Sequence, residues 1–542
     1  MSDTNNDSFT IEPLPAARPG EQWQALRTAL RPLASLKLTV ALFAMSILLV
    51  LVGTLAQVQS DIWEAVREYF RCWGLWIELR TFSPLINPLF AMLHLDFDFK
   101  NVSPILRFPF PGGYTIGVCM LLNLLAAHSL RFVVQAKGLR LVAGIVVALI
   151  GVVVTWLVID SGHSDSGVQE AGFTWDKLWW ALEALLGILC LLNLAGLVLA
   201  YREKKPETVL LAVSLAALVT PLVLMFVTGE GSIDASGMRI LWQLMKGTFA
   251  GLVLLAGAAL LFKKRAGVVV LHLGVILMLV HEPLVGTLHI ETQMTIDEGS
   301  TASYAQDIRT TELAFVDVSN PSYDDVVTIP RELLERSAAK NSIISDASLP
   351  FDVQVVSYLR NSEPVPVDPQ KPNPATAGLG LSFIAAERVA GAGTDGDSAV
   401  DLTASYVKLI DKESKKDLGT FVVGVYCDNI RKPEWKANQI EVGDTKWDLS
   451  LRFKRYDRPY VVKLLDVSKT DYAGTDTPRD YRSIVRLFDP SRKTDIVKHI
   501  WMNNPLRYSG ETFYQSSYGM NPKTGKEQTT LSVVKTTGWM IP

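Results

Sequence analysis

The chain has 542 residues, 20% of them charged, a net charge of −3 and a mean hydropathy of +0.22. The length exceeds one compact domain and suggests about three or four, and the charge balance, without a basic stripe interleaved with aromatics, excludes nucleic acid as the expected partner. The four cysteines (Cys72, Cys119, Cys190 and Cys427) form no CxxC pair, so neither a thioredoxin-like motif nor a structural zinc site is expected.

The hydropathy is an average of two unlike halves. Residues 33–281 are mostly apolar, whereas 285–542 have an ordinary soluble composition. The first twenty residues are polar and lack the apolar core of a signal peptide, so residues 1–36 read as a cytoplasmic tail and the first helix as a retained anchor. A spanning helix needs roughly 20 mainly apolar residues. Segments at 37–57, 112–131, 141–159, 179–200, 209–228, 240–262 and 266–282 qualify.

Lys and Arg collect in alternate short connections. Arg27, Arg31 and Lys37 precede the first span. Arg131, Lys137 and Arg140 follow the second, Arg202, Lys204 and Lys205 the fourth, and Lys263, Lys264 and Arg265 the sixth. The opposite connections are acidic, with Asp160, Asp165, Glu170 and Asp176 in one and Glu230 and Asp234 in another. By the positive-inside rule the N-terminus is in and the C-terminal half is outside the cytoplasmic membrane. The expected fold class is an α-helical membrane bundle of about seven spans over 37–282, with an outer loop at 58–111. An extracytoplasmic, all-β, sandwich-like domain follows over 283–542.

Within the outer loop, residues 61–76 are amphipathic and Trp-rich, which suits the plane of the membrane interface or the face of the outer domain. Period-two alternation in 351–355 and 447–453 predicts strands. Further strands are expected at 403–409, 420–426, 460–467, 484–488, 512–517 and 529–535, separated by turn residues as in an antiparallel sandwich or barrel. The Pro-rich, then Gly/Ala-rich stretch 361–397 reads as a long loop with at most one short strand at 379–386. The last residues, Thr537-Gly-Trp-Met-Ile-Pro542, read like the interfacial entry to one more span, which would lie beyond the given sequence.

Two histidines sit inside apolar runs. His128 lies within a turn of the cytoplasmic end of the second span. His272 lies seven residues past Arg265, about 10 Å deep at about 1.5 Å per residue. The two are therefore expected at similar depth. Neutral imidazole is a good iron ligand, and haem iron accepts axial histidine; the alternative is a histidine bonded to a neighbouring helix or a headgroup. His281, at the outer end of the seventh span, reads as an interfacial anchor, and His94, His163, His289 and His499 have no partner suggested by the sequence. Glu183 and Lys246 fall in the first turns of the fourth and sixth spans, where long side chains reach water. Cys72 and Cys427 both lie outside, where disulfides persist; a bridge or thiol relay stands beside the default of two unpaired thiols.

The chain resembles the ResB family of cytochrome c biogenesis proteins, partners of the CcsA/ResC protein in the system II pathway. Three stretches carry the likeness: the first span from Leu36 to Gly53-Thr-Leu-Ala-Gln57; His272-Leu-Gly with a Gly286 turn and Asp297-Glu-Gly299; and Asn503-Asn-Pro-Leu-Arg-Tyr508-Ser-Gly510-Glu-Thr-Phe513-Tyr-Gln515. The last is similar to the family's Asn-x-Pro-Leu-x-Tyr-x-Gly-x-x-Phe-Tyr-Gln signature, and its residues read as a structural hairpin. The resemblance implies a membrane subunit that assists haem export and apocytochrome c handling. Haem b is the implied cargo, His128 the position that matches the family's haem-ligating histidine, and a Trp-rich CcsA/ResC-type membrane protein the partner; His272, read at similar depth, is the second candidate axial ligand. The spans at 141–262 read as an insertion of four, an even number that leaves the topology unchanged. A non-haem scaffold with an envelope β domain and a thiol-disulfide component using Cys72 and Cys427 are the competing readings.

Overall fold

The computed structural model describes residues 24, 28 and 30–536, apart from 59, 95–96, 132–133, 162–173, 234, 369, 371, 390, 392–400, 431, 433–434 and 503. Arg27, His163, Asp165, Glu170, Asp234, Asn503 and the 537–542 tail lie outside the described residues.

Helices form where spans are expected: α1 Leu36–Ala56, α2 Gly113–Arg131, α3 Leu139–Ser161, α4 Trp175–Arg202, α5 Thr208–Thr228, α6 Ala235–Phe262 and α7 Ala266–Leu288. Among the described residues six apolar helical segments are long enough to cross a membrane, and the sixth, Gly237–Leu288, has 52 residues. At about 1.5 Å per residue that is more than twice a bilayer core. It is broken into α6 and α7 by the 3-10 turn Lys263–Arg265, with Lys263 at φ 52. The cationic turn folds the chain back, so the two helices are separate crossings. α5 ends at Gly229, whose φ of 75 lets the chain leave the helix.

α4 and α6 begin earlier than the hydropathy predicts. Charged residues (Asp176, Lys177, Arg239) dilute the apolar signal of their first turns, while Trp175, Trp179, Met238 and Trp242 pack there into one cluster. Glu183 and Lys246 are therefore two turns or more inside their helices, not in the first turn. Trp179 Nε1 donates to Glu183 Oε1 at 3.0 Å, and Lys246 Nζ donates to Ser161 Oγ at 2.8 Å.

The 61–76 segment is helical only to Phe70. Strand β1 (Gly74–Glu78) then pairs with β2 (Arg107–Pro111) in a hairpin that ends at α2. The helical part packs on the β domain. Arg360 bonds Asp61 at 2.7 Å and Glu64 at 2.9 Å and lies 3.5 Å from Asp401. The Arg309 guanidinium lies 3.2 Å from the Trp63 ring centroid. Arg360→Glu is expected to release this segment, read as faster hydrogen–deuterium exchange across 61–70 with exchange in α1 and α2 unchanged. Unaltered exchange at 61–70 would show that the ion pairs hold nothing.

Two residues after α7 the β domain begins. Its strands are β3 Ile290–Asp297, β4 Thr301–Asp317, β5 Asp325–Pro330, β6 Ile343–Ile344, β7 Phe351–Leu359, β8 Ser362–Pro366 and β9 Phe383–Glu387. There follow β10 Ala404–Asp411, β11 Asp417–Gly424, β12 Gln439–Val442, β13 Thr445–Asp471 and β14 Pro478–Asp489. The last are β15 Thr494–Trp501, β16 Leu506–Tyr508, β17 Glu511–Met520 and β18 Glu527–Lys535. A ten-stranded sheet runs β15-β14-β13-β4-β3-β18-β17-β16, with β12 and β5 attached to β13 and β4. A four-stranded sheet runs β11-β10-β7-β6.

The two longest strands, β4 and β13, break register between Phe453 and Arg455 and again between Asp457 and Val462. These bends divide the domain into two lobes. On one side Phe315, Leu449 and Trp447 face Phe351, Val407, Leu409 and Phe421 of the smaller sheet, a sandwich core. On the other the large sheet curls on itself around Met294, Tyr460, Leu464, Val485, Ile500, Phe513 and Leu531. The Trp501–Asn504 bridge links the ends of its edge strands. The result is sandwich-like in one lobe and barrel-like in the other.

The domain is not all β. Helix α8 (Arg331–Lys340) follows Pro330, buries Leu334 and Ser337, and stops at Asn341 in the left-handed conformation. The Pro-rich stretch also holds more order than expected. β8, with Pro364 and Pro366, pairs with β9, the register an edge strand tolerates. Gly286, expected to turn, is helical; a Cβ there would lie 3.0 Å from Arg71 Nε, which crosses the helix to reach Glu282.

Candidate functional site

The site grows from the packing of α2 against α1 and α7. Asn123 is 5% exposed on α2 and fixes its register to the start of α1. Its amide donates to Ser35 O at 3.1 Å, and its Oδ1 accepts from Thr39 Oγ1 at 2.8 Å. A polar side chain so placed in an apolar seam is satisfied on both its carbonyl and its amide, which makes the seam specific.

Five residues on, His128 faces α7. The His128 Nδ1 lies 3.0 Å from Leu124 O. His272, on the second turn of α7, places Nδ1 at 3.3 Å from His128 Nε2. The ring centroids are 4.9 Å apart and the planes cross at 79°. The structure thus brings together the two histidines singled out in the sequence, at one depth, near the Lys263–Arg265 end of the bundle. Among the described residues no group of three His, Cys, Asp or Glu could hold a metal ion.

Two imidazoles suit iron in a porphyrin, which needs only axial donors. His128 and His272 are the residues that would hold such a group, and their rings stand in edge contact at 3.3 Å.

The remaining candidates lie elsewhere. His281 is at the far end of α7, beside Glu282, with a buried Nδ1 that has no hydrogen-bond partner. His289 Nδ1 bonds Thr536 Oγ1 at 2.6 Å. Cys72 and Cys427 are not joined. Burial pushes the Cys427 thiol up to about 12 and raises that of Cys72. A thiol raised this way is a poor nucleophile. Cys427 is expected to resist iodoacetamide at pH 8.5 in the folded chain and to react fully once denatured. Because its folded value is raised, the buried thiol's stabilising contribution is full below about 9 and falls as pH rises toward about 12.

Three residues that sequence reasoning passed over complete the picture: Asn123, Arg239 and Asn504. Arg239, near the domain-side end of α6, donates from Nη1 to Asn504 Oδ1 at 2.6 Å and lies 5.2 Å from the Trp501 ring centroid. Asn504, 2% exposed, heads the Asn-Pro-Leu turn. The signal for each was present, a polar residue within or bordering an apolar run.

The Asn-Pro-Leu stretch itself is structural. Leu506 and Phe513 fill the barrel-like core. Ser509 and Gly510 take left-handed φ values of 53 and 77 to turn the hairpin. Gln515 is held inside by Ser483 Oγ at 2.7 Å and Thr529 Oγ1 at 3.0 Å.

Residues 429–538, a stretch that includes β12 to β18, match the model of the ResB-like family. Protein NrfI of Wolinella succinogenes is 36% identical over 80 residues, a stretch covering 15% of this chain and 9% of that protein. The aligned part is thus less than a tenth of the relative's length. Residues 429–538 are thus similar to the ResB-like family, and the chain that carries them is a multi-pass membrane protein.

Proposed function

We propose that this chain is a membrane subunit of a system II cytochrome c maturation complex. In this reading the β domain lies on the extracytoplasmic side and the His128–His272 pair near the cytoplasmic side. Haem b is the cargo, taken at the imidazole pair and moved outward. A Trp-rich CcsA/ResC-type membrane protein is the partner, and apocytochrome c receives the haem by thioether attachment in the complex.

One observation carries the reading: two imidazoles in contact at the seam of α2 and α7, in a chain whose residues 429–538 match the ResB-like family. Polar rings in an apolar bundle are costly unless they bond to one another or to a ligand. The charge of the loops supports the orientation, since the Lys263–Arg265 turn and the Arg140 end of α3 share the histidine end. Burial raises both the Cys72 and the Cys427 thiol above the ordinary range, which counts against a thiol relay.

The test is the haem content of the complex purified with its partner, read as the pyridine haemochrome. The double variant His128→Ala/His272→Ala is expected to lose the chain's haem and to abolish cytochrome c maturation. Unchanged haem and maturation would remove the site. A reporter fused to the β domain that is active only in the cytoplasm would remove the proposed route.

A further inference from the structure

The loop between α1 and α2 contains one more helix, Ser83–Met92, with the sequence Ser-Pro-Leu-Ile-Asn-Pro-Leu-Phe-Ala-Met. At about 100° per residue, Leu85, Leu89 and Met92 fall within about 60° of one another around its axis. Leu93, just past the last turn, continues the stripe. These four apolar side chains are 49–70% exposed. Asn87 faces the other way. Its Nδ2 donates to Asp98 Oδ1 at 2.6 Å, and its Oδ1 accepts from Phe99 N at 2.8 Å. The charged turn that follows, with Asp98 and Lys100 exposed, is thereby folded back on the polar side. The helix is two-sided, apolar on one face and polar on the other.

We infer that this helix lies in the plane of the membrane interface, in the leaflet on the β-domain side, with Leu85, Leu89, Met92 and Leu93 among the lipid acyl chains. A two-faced helix of this kind binds a bilayer through its apolar face while its polar face stays among the headgroups. Three observations favour lipid over a protein as the occupant. First, the loop is rooted on a membrane-spanning helix: Gly112 N donates to Trp73 O at 3.0 Å and Tyr114 N to Cys72 O at 3.1 Å, at the first turn of α2. Second, the turn Leu79–Phe82 lies against α1, and Phe82 packs on the cluster that joins α1 to α2. The helix therefore starts from the flank of the bundle, where Val50 and Leu51 of α1 are likewise bare. Third, exposed Trp73 and Trp76 stand beside it, with Tyr114 at 5.7 Å from the Trp73 centroid and the Arg107 guanidinium at 5.3 Å from the Trp76 centroid. Aromatic and basic side chains grouped in this way mark the headgroup level. The interfacial role expected of 61–76 thus passes to the helix that follows, because 61–70 is held to the β domain by Arg360. One loop grips the β domain at one end and the bilayer at the other, a second tether besides α7. The inference is independent of the haem reading.

The test places the photoreactive residue p-benzoylphenylalanine at Leu89 or at Met92 of the full chain and irradiates it in the host cell membrane. A phospholipid adduct, read as a mass shift of the chain, is expected at both positions, as at exposed Val50 on α1. None is expected at Asn101, which is exposed in the charged turn. An adduct with another polypeptide at Leu89 and Met92 would overturn the inference and make the stripe a protein-docking face. No adduct at either, with lipid captured at Val50, would also overturn it and leave the stripe in water. The unsubstituted chain gives a second reading, in phosphatidylcholine nanodiscs whose lipid carries a diazirine on its acyl chain. Lipid adducts are expected on 83–93 and absent from 97–101; equal labelling of the two would refute the two-sided placement. Leu89→Asp is expected to remove the labelling of 83–93 and to leave that of α1 unchanged. Labelling of 83–93 at the wild-type level in this variant would show that the apolar stripe does not hold the helix in lipid.

Discussion

Glu511→Ala is expected to destabilise the β domain by about 3–5 kcal/mol, the range for removing one partner of a buried ion pair. Arg458 Nη2 lies 2.7 Å from Glu511 Oε1, and Arg458 Nε donates to Oε2 at 2.8 Å. The two side chains are only 11% and 7% exposed. Tyr460, 2% exposed, donates its hydroxyl hydrogen to the same Oε2. Burial, and then the Glu511 carboxylate, push the Tyr460 hydroxyl well above its usual range, so it remains a donor. Removing the carboxylate therefore strands three donors in the barrel-like core. Each kcal/mol shifts Tm by roughly 2–4 °C in a domain this size, so a fall of roughly 6–20 °C is expected in thermal unfolding. Arg458→Met, Tyr460→Phe and Glu511→Leu together remove donors and acceptor alike, and are expected to cost less than Glu511→Ala alone. If the triple variant were the less stable of the two, the stranded-donor account would be wrong.

Glu511 also shows how far the sequence could be read. It lies in the hairpin of the Asn-Pro-Leu stretch, where alternation correctly puts Phe513 and Gln515 inside and Tyr514 outside. Nothing in the linear order reveals that Arg458, 53 residues earlier, faces it. Membrane helices were the most legible elements, because apolar length is a local property. Their ends were less so, since Asp176 and Lys177 hide the start of α4. Strands with strict alternation were found at β7, β13 and β17. β3, β4 and β15 were missed, although β3 alternates in its burial. Helix α8 was missed because ten residues with two buried side chains give little periodic signal.

The imidazole pair was legible for a different reason. Depth can be counted from a charged flank, and Arg131 and Arg265 flank His128 and His272 on one side of the bundle. Counting depth cannot say that the rings touch. That depends on which faces of α2 and α7 meet, in a bundle where Asn123 ties α2 to α1 through Thr39 and Ser35, 84 and 88 residues away.

The four spans between α2 and α7 pose the second large effect. Gly257→Leu is expected to destabilise the bundle by about 3 kcal/mol, the upper end for overpacking, or more. A Cβ at Gly257 would lie 2.6 Å from Ala148 N and 2.8 Å from Ala148 Cα, so α3 and α6 meet backbone to backbone. Leu261 fills the space over Gly144 and Leu254 that over Gly151, a small-residue seam of the kind that holds membrane helices together. At the histidine end the seam is pinned by Arg140, which donates to Leu260 O at 2.8 Å and Ala259 O at 3.1 Å. Gln135 N donates to Leu261 O at 2.9 Å. At the other end α6 holds the β domain through Arg239 and Asn504. α6 runs through a three-residue turn into α7, so its position sets that of His272. Gly257→Leu is therefore expected to lower thermal stability in nanodiscs and, under the proposed function, to weaken haem retention in the same variant. Gly251→Leu is the control, since a Cβ there meets nothing within 4 Å and its side chain enters open space. Equal effects from the two substitutions would show that bulk anywhere on α6 is enough, and the close approach to Ala148 would not be what couples the inserted helices to the histidine pair.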